Sequence, residues 1–84
     1  MTKLTVVFFA SLKESLAIGQ YQVVGDFPMS VKALKQMLAS ELENGDALLA
    51  AGIQSSVDYE FARDTDMISN TAKEVAFFPP VTGG

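Results

Sequence analysis

The sequence predicts an α+β roll: a mixed sheet of four or five strands closed over one main helix, in a single small domain. Three observations carry this. Apolar, β-branched and aromatic residues crowd two short runs near the ends of the chain, at residues 3–9 and 74–78. From Val31, one longer stretch repeats its apolar residues at helical spacing. The element order, two strands, a helix and then further strands, suits a helix laid across one face of a sheet. With 84 residues, 49% of them hydrophobic, the chain can form a packed core.

Residues 3–9 (Lys-Leu-Thr-Val-Val-Phe-Phe) are too short and too apolar for a surface helix. Leu4, Val6 and Phe8 share one face and Thr5, Val7 and Phe9 the other, so the strand is expected at the sheet centre or against a partner. Ser11 and Glu14 have capping-box spacing, which predicts a short helical turn over residues 11–16. Gly19 marks a turn, and residues 21–24 form a second strand. The turn 25–28 leads to the main helix, with Ser30 as its N-cap. Val31, Leu34, Met37, Leu38 and Leu42 form its core stripe; Lys32, Lys35, Gln36 and Glu43 fall mainly on the wet face. Asn44-Gly45 should stop it.

Asp46 is expected to cap another helical turn that runs to Ala51. Residues 55–61 alternate, with Val57, Tyr59 and Phe61 on one side and Ser56, Asp58 and Glu60 on the other, as in one half-buried strand. Residues 62–73 are polar, anchored by Met67-Ile68. Residues 74–78 are the last strand, expected to lie beside the first. A helix covering one face of the sheet leaves Phe9, Phe61 and Phe78 either in the core or as an apolar docking patch on the other face.

Composition narrows the chemistry. Six basic and ten acidic residues give a net charge of -4, and the basic residues form no dense run, which argues against nucleic acid as a partner. There are no cysteines and no histidines. A disulfide framework, a Cys-His zinc site and a thiol or histidine nucleophile are therefore excluded. The apolar run near the N-terminus is too short to span a membrane, and removing it as a leader would delete a core strand. A cytoplasmic protein is the expectation. Asp58 and Glu60 form a carboxylate pair without accompanying catalytic residues, and read as solvated side chains. No glycine-rich phosphate loop is present, and Asp64-Thr-Asp66 falls short of a calcium loop.

What remains is the end of the chain. Pro79-Pro80 cannot continue a hydrogen-bonded ladder and biases the backbone towards extended geometry. Residues 1–80 are thus expected to form the domain and 81–84 an arm. Fully extended, Val81, Thr82, Gly83 and Gly84 reach roughly 13 Å. The two glycines carry no Cβ to obstruct a narrow channel and leave the carboxylate as the one reactive group. The competing reading is an ordinary frayed terminus.

The tail Glu74-Val-Ala-Phe-Phe-Pro-Pro-Val-Thr-Gly-Gly84 resembles the molybdopterin synthase small-subunit family, sulfur carriers with a ubiquitin-like β-grasp fold. The run from Leu4 to Ala10 with Leu12-Lys-Glu14, the Phe27-Pro28 pair, the helix start Val31-Lys-Ala-Leu34 and Val57-Asp-Tyr-Glu60 also fit. The resemblance implies that the Gly84 carboxylate is adenylated and then converted to a thiocarboxylate. That group would donate sulfur to a cyclic pyranopterin monophosphate in the large synthase subunit, forming the dithiolene. Gly83 would give access to the partner active sites. Phe9, Phe61, Phe78, Pro79, Pro80, Val81 and Thr82 would meet the partners.

Those implied partners are the large subunit, in a heterotetramer, an ATP-dependent adenylating enzyme, and a sulfur donor such as a cysteine desulfurase or rhodanese-like protein. No cofactor would be bound by this chain; ATP and Mg would be used by the activating enzyme. The chain departs from the family at Asn70-Thr-Ala-Lys73, where Asp-Gly-Asp is usual, at Lys13 in place of arginine, and at Asp58 in place of asparagine. Sulfur carriage for thiamine biosynthesis or tRNA thiolation, a ubiquitin-like modifier and a non-catalytic interaction domain are the alternatives.

Overall fold

Alternation in the first apolar run produces strand β1 (Thr2–Phe8), with Leu4, Val6 and Phe8 fully buried on one face. The computed structural model describes residues 2–80. β1 pairs antiparallel with β2 (Gln20–Gly25) and parallel with β7 (Glu74–Phe78), whose Val75 and Phe77 are also fully buried. β7 in turn pairs antiparallel with β4 (Gln54–Val57), and β4 with β5 (Glu60–Ala62). The five-stranded order is β2-β1-β7-β4-β5, so the two most apolar runs lie side by side at the centre, as expected. A second, two-stranded sheet joins β3 (Met29–Ser30) to β6 (Met67–Ile68). This is the β-grasp architecture.

Helix α2 (Val31–Glu41) covers one face, placing Val31, Leu34 and Leu38 against Leu4, Val6, Phe8 and Phe77 in one core. Phe8 and Phe77 stack with ring centroids 6.3 Å apart. Burying each such side chain contributes about 1.5–3 kcal/mol before conformational entropy is subtracted. The expected cap at Ser30 is present, its Oγ accepting from the Ala33 N–H at 3.0 Å. Two further N–H groups of the first turn, those of Val31 and Lys32, donate to the Asp66 and Asp64 carbonyls at 3.0 Å each. Of the predicted apolar anchor Met67-Ile68, Ile68 is fully buried and holds the polar segment, while Met67 is exposed.

Several local expectations are corrected. Ser11 caps nothing: α1 (Ala10–Leu16) begins one residue earlier with Phe9 as N-cap and no side-chain cap bond, after a reversal at Ala10 (φ 54). α2 stops at Glu41, short of Asn44-Gly45, because Leu42 leaves helical geometry to pack against the core. Asn44 then turns left-handed (φ 60), and its side-chain amide donates to the Ser15 carbonyl at 3.3 Å. Asp46 lies inside the 3-10 helix that follows (Gly45–Leu49) and does not cap it. Lys35 is not on the wet face but 6% exposed. No helix among the described residues is long and apolar enough to cross a membrane.

The largest correction concerns residues 55–61, which form no single strand but the hairpin β4–β5. Asp58 (φ 48) and Tyr59 (φ 71) make its two-residue turn in the left-handed region, the backbone that matches strand twist in a tight hairpin. Tyr59 therefore sits at the tip, 84% exposed, while Val57 packs against the core. Directly opposed residues of antiparallel strands share a face, so Phe61 joins Ser56 and Ala76 on the open side.

Asp58 is more than a turn residue, and it pairs with no catalytic partner. Its Oδ1 accepts from the Lys73 and Glu74 backbone N–H groups at 2.9 and 3.0 Å, and its own N–H donates to the Glu74 carbonyl at 2.8 Å. The hairpin tip thus holds the first residues of β7. Asp58→Ala is expected to lower stability by about 1–2 kcal/mol, from two lost acceptor contacts and a left-handed alanine. Asp58→Asn, which keeps an acceptor and tolerates that backbone, should stay within about 0.5 kcal/mol of the original chain. Urea denaturation of the two variants checks this; equal losses in both would refute the account.

Candidate functional site: the root of the arm and the open sheet face

β7 is the only strand flanked by β1 on one side and β4 on the other, and it delivers Phe78 directly into Pro79-Pro80. A central strand is held by ladders on both edges, so the point from which the arm departs is fixed by the whole sheet. Pro79 is half-buried and Pro80 exposed. Val81, Thr82, Gly83 and Gly84 lie outside the described residues.

Pro80 rests on Gly52. A Cβ at Gly52 would stand 3.1 Å from Pro80 Cγ, and the glycine has φ +88, so both space and backbone call for glycine here. Beside it, Pro79 and Pro80 border a hollow of about 270 Å³ with Leu12, Ser15, Ala47 and Ala50. The residues that line it beside the prolines come from α1, the 3-10 helix and the segment after it. Gly52 carried no signal beyond its identity in the sequence; only its contact with Pro80 separates it from an ordinary turn glycine.

The open face supplies the second part of the site. Phe61 is 80% exposed and meets half-buried Phe78 edge-on, with ring centroids 6.0 Å apart at 62°. Phe9, 49% exposed, stands one residue beyond the last β1–β7 pair and donates its N–H to the Phe77 carbonyl at 3.2 Å. Val7, paired with Ala76, continues the apolar strip between these aromatics. The three phenylalanines singled out in the sequence are thus brought to one region around the arm root. Edge strand β5 also borders an open hollow of about 650 Å³, lined by Phe61, Arg63, Asp64, Asp66 and Gly52.

Among the described residues no cluster of three carboxylates could hold a metal. Tyr21 stands on the opposite edge strand, β2. Its phenol is pushed up first by the charge of Glu41, then by desolvation and the hydrogen bond it donates to that carboxylate at 3.3 Å. Among the described residues the geometry offers a central strand that runs into Pro79-Pro80, with Pro80 against Gly52, beside Phe61 and Phe78 on the open sheet face.

Comparison with known proteins agrees with the architecture. The ThiS family model matches residues 6–84. The chain is 42% identical over 86 residues to the molybdopterin synthase sulfur carrier subunit of Escherichia coli strain K12, spanning 94% of this chain and 96% of that one. It is 35% identical over 88 residues to the protein of the same name from Haemophilus influenzae, spanning 96% and 99%. The crystal structure of SAMP1 from Haloferax volcanii superposes with a TM-score of 0.79 over 98% of this chain and 99% of that chain, at 21% identity. That last likeness is one of fold.

Proposed function

The chain belongs to the ThiS family, and we propose that it is the sulfur-carrying small subunit of a molybdopterin synthase, with the Gly84 carboxylate as the group that is loaded. The observation that carries this reading is the continuity of central strand β7 into Pro79-Pro80, with Pro80 seated on Gly52, beside exposed Phe61 and half-buried Phe78. A free α-carboxylate is ionised at neutral pH and is a poor electrophile. An ATP-dependent adenylating enzyme would convert it to an acyl-adenylate with release of pyrophosphate, and a sulfur nucleophile at the sulfide level would then attack the acyl carbon and expel AMP. The resulting thiocarboxylate is a soft nucleophile, and the large subunit would use it to build the dithiolene on a cyclic pyranopterin monophosphate. The body, residues 1–80, serves as the handle and docking surface; residues 81–84 serve as the arm.

Phe9, Phe61 and Phe78 meet the large subunit in this reading, and Pro79, Pro80, Val81 and Thr82 follow the channel towards its active site. Exposed aromatic residues at the centre of an apolar patch are typical binding anchors. Phe61→Ser is expected to weaken association with the large subunit about tenfold or more, while leaving folding stability within about 0.5 kcal/mol. Titration calorimetry alongside thermal unfolding reads both. Unchanged affinity in a folded variant would remove Phe61 from the interface.

The direct test incubates the chain with adenylating enzyme, ATP and a sulfur donor, then adds the large subunit and the pterin precursor. The expected intact mass shows one oxygen replaced by sulfur at the terminus, followed by molybdopterin formation. No mass change would sink the carrier reading. Sulfur loading without molybdopterin would assign the chain to another sulfur pathway.

A further inference from the structure

We propose that the free edge of β2 pairs with the β2 edge of a second copy of this chain, antiparallel and centred on Gln22, to make one continuous sheet. β2 and β5 are the outer strands of the five-stranded sheet. β5 is three residues long, starts with Glu60 and runs into Arg63-Asp64; shortness and charge are what natural edges use against pairing. β2 has neither guard. Its six residues, Gln-Tyr-Gln-Val-Val-Gly, include no charge and no proline, and they pair with β1 residue by residue without a bulge. Val24 is 59% exposed.

The β1 ladder sets the register. The Phe8 N–H donates to the Gly19 carbonyl at 2.9 Å, so these opposed residues form a hydrogen-bonded pair. Alternation then turns the backbone groups of Tyr21, Val23 and Gly25 towards β1 and those of Gln20, Gln22 and Val24 outward. A row of outward N–H and C=O groups selects another strand as its occupant, and this edge complements itself. Directly opposed residues share a face, so a twofold pairing must centre on a residue. Centred on Gln22, it sets Gln22 against Gln22 and each Gln20 against Val24, and the outward groups meet in about six backbone hydrogen bonds. Centred on Tyr21 or Val23, it leaves Val24 or Gln20 without a partner in β2. The Gln22 register opposes no two charges, and it sets Tyr21 against Val23 on the helix side, an aromatic and β-branched pair. Both open faces fall on the other side, with Phe61 and Phe78 on strands remote from the joint. The pairing is therefore independent of the carrier reading and compatible with it.

One strand pair is a small interface, so the dimer should be reversible, with a dissociation constant of roughly 0.1 mM. Sedimentation velocity of the full chain from about 10 µM to 1 mM should show monomer passing to dimer. Over that range the amide exchange rates of Gln20, Gln22 and Val24, followed by NMR, should slow about fourfold while those of Tyr21 and Val23 stay constant. Gln22→Lys sets two ammonium groups directly opposite each other and should raise the dissociation constant about fivefold. Gln22→Pro removes an outward N–H that the β1 ladder does not use, and should raise it about tenfold or more. Phe61→Ser should dimerise like the original chain. If either Gln22 variant fails to fold, the amide pattern of the original chain decides alone. A chain that stays monomeric at 1 mM would overturn the proposal. So would association that persists undiminished in folded Gln22→Lys, that vanishes with Phe61→Ser, or that leaves the three outward amides unprotected.

Discussion

Deleting Gly83 and Gly84, or adding one residue after Gly84, is expected to abolish sulfur loading and molybdopterin formation while leaving the melting temperature unchanged. The reason lies in the division of labour along the chain. The core is complete by Phe77, and Phe78 is the last residue of β7. Removing the last two residues therefore costs no buried contact among those described. It does move the carboxylate back by up to about 7 Å, beyond the reach of an active site built around the full arm. An added residue has the opposite fault: the carboxylate moves past the reacting position, and any side chain must enter a channel suited to bare backbone. Intact mass after incubation with the adenylating system, with circular dichroism on the same samples, separates the two properties. Loading that persists in either variant would show that the terminal carboxylate is not the carrier group.

The parts of this molecule visible in its sequence are those governed by periodic burial. Alternation placed Leu4, Val6 and Phe8 on the core face, and helical spacing placed Val31, Leu34 and Leu38 there. The end of β7 at Phe78 was legible because Pro79-Pro80 cannot continue its ladder. The hairpin at Asp58-Tyr59 escaped because alternation continues through its turn: Val57, Tyr59 and Phe61 keep a two-residue period although the chain reverses between them. Neither turn residue is glycine, so the usual marker was absent. Lys35 escaped for a different reason. A charged residue on a helix flank reads as solvated until an acceptor on a distant loop is known, and Asp64 lies 29 residues away. The open-face phenylalanines could be nominated from the sheet's two faces, but the meeting of Phe61 with Phe78 depends on the pairing of β4 with β7, a contact between strands with the polar 62–73 segment between them.

Gly45, expected with Asn44 to stop a helix that in fact ends at Glu41, carries the largest expected effect on folding for a different physical reason. A glycine after a helix ordinarily supplies a left-handed backbone. Here Asn44 does that, with φ 60, and Gly52 is the glycine with positive φ among the described residues. What Gly45 supplies is space. A Cβ on it would lie 2.7 Å from the carbonyl oxygens of both Leu38 and Ala39, and 2.8 Å from Ala39 Cα. All three are backbone atoms of α2, so no side chain can swing aside to relieve the contact. The strain must separate the 3-10 helix from α2, which pulls buried Leu48 from the core. Gly45→Ala is therefore expected to cost about 2–3 kcal/mol, a large part of the stability of so small a domain, and to lower the melting temperature by roughly 10–20 °C. Gly19→Ala is the matched control. Its Cβ would meet only the Lys13 side chain, at 3.1 Å from Cε, and that exposed chain can move away. It should stay within about 0.5 kcal/mol of the original chain. Thermal unfolding of the two variants decides the matter: a Gly45→Ala chain that melts like Gly19→Ala would mean that close approach to the backbone of α2 is not why glycine stands at this position.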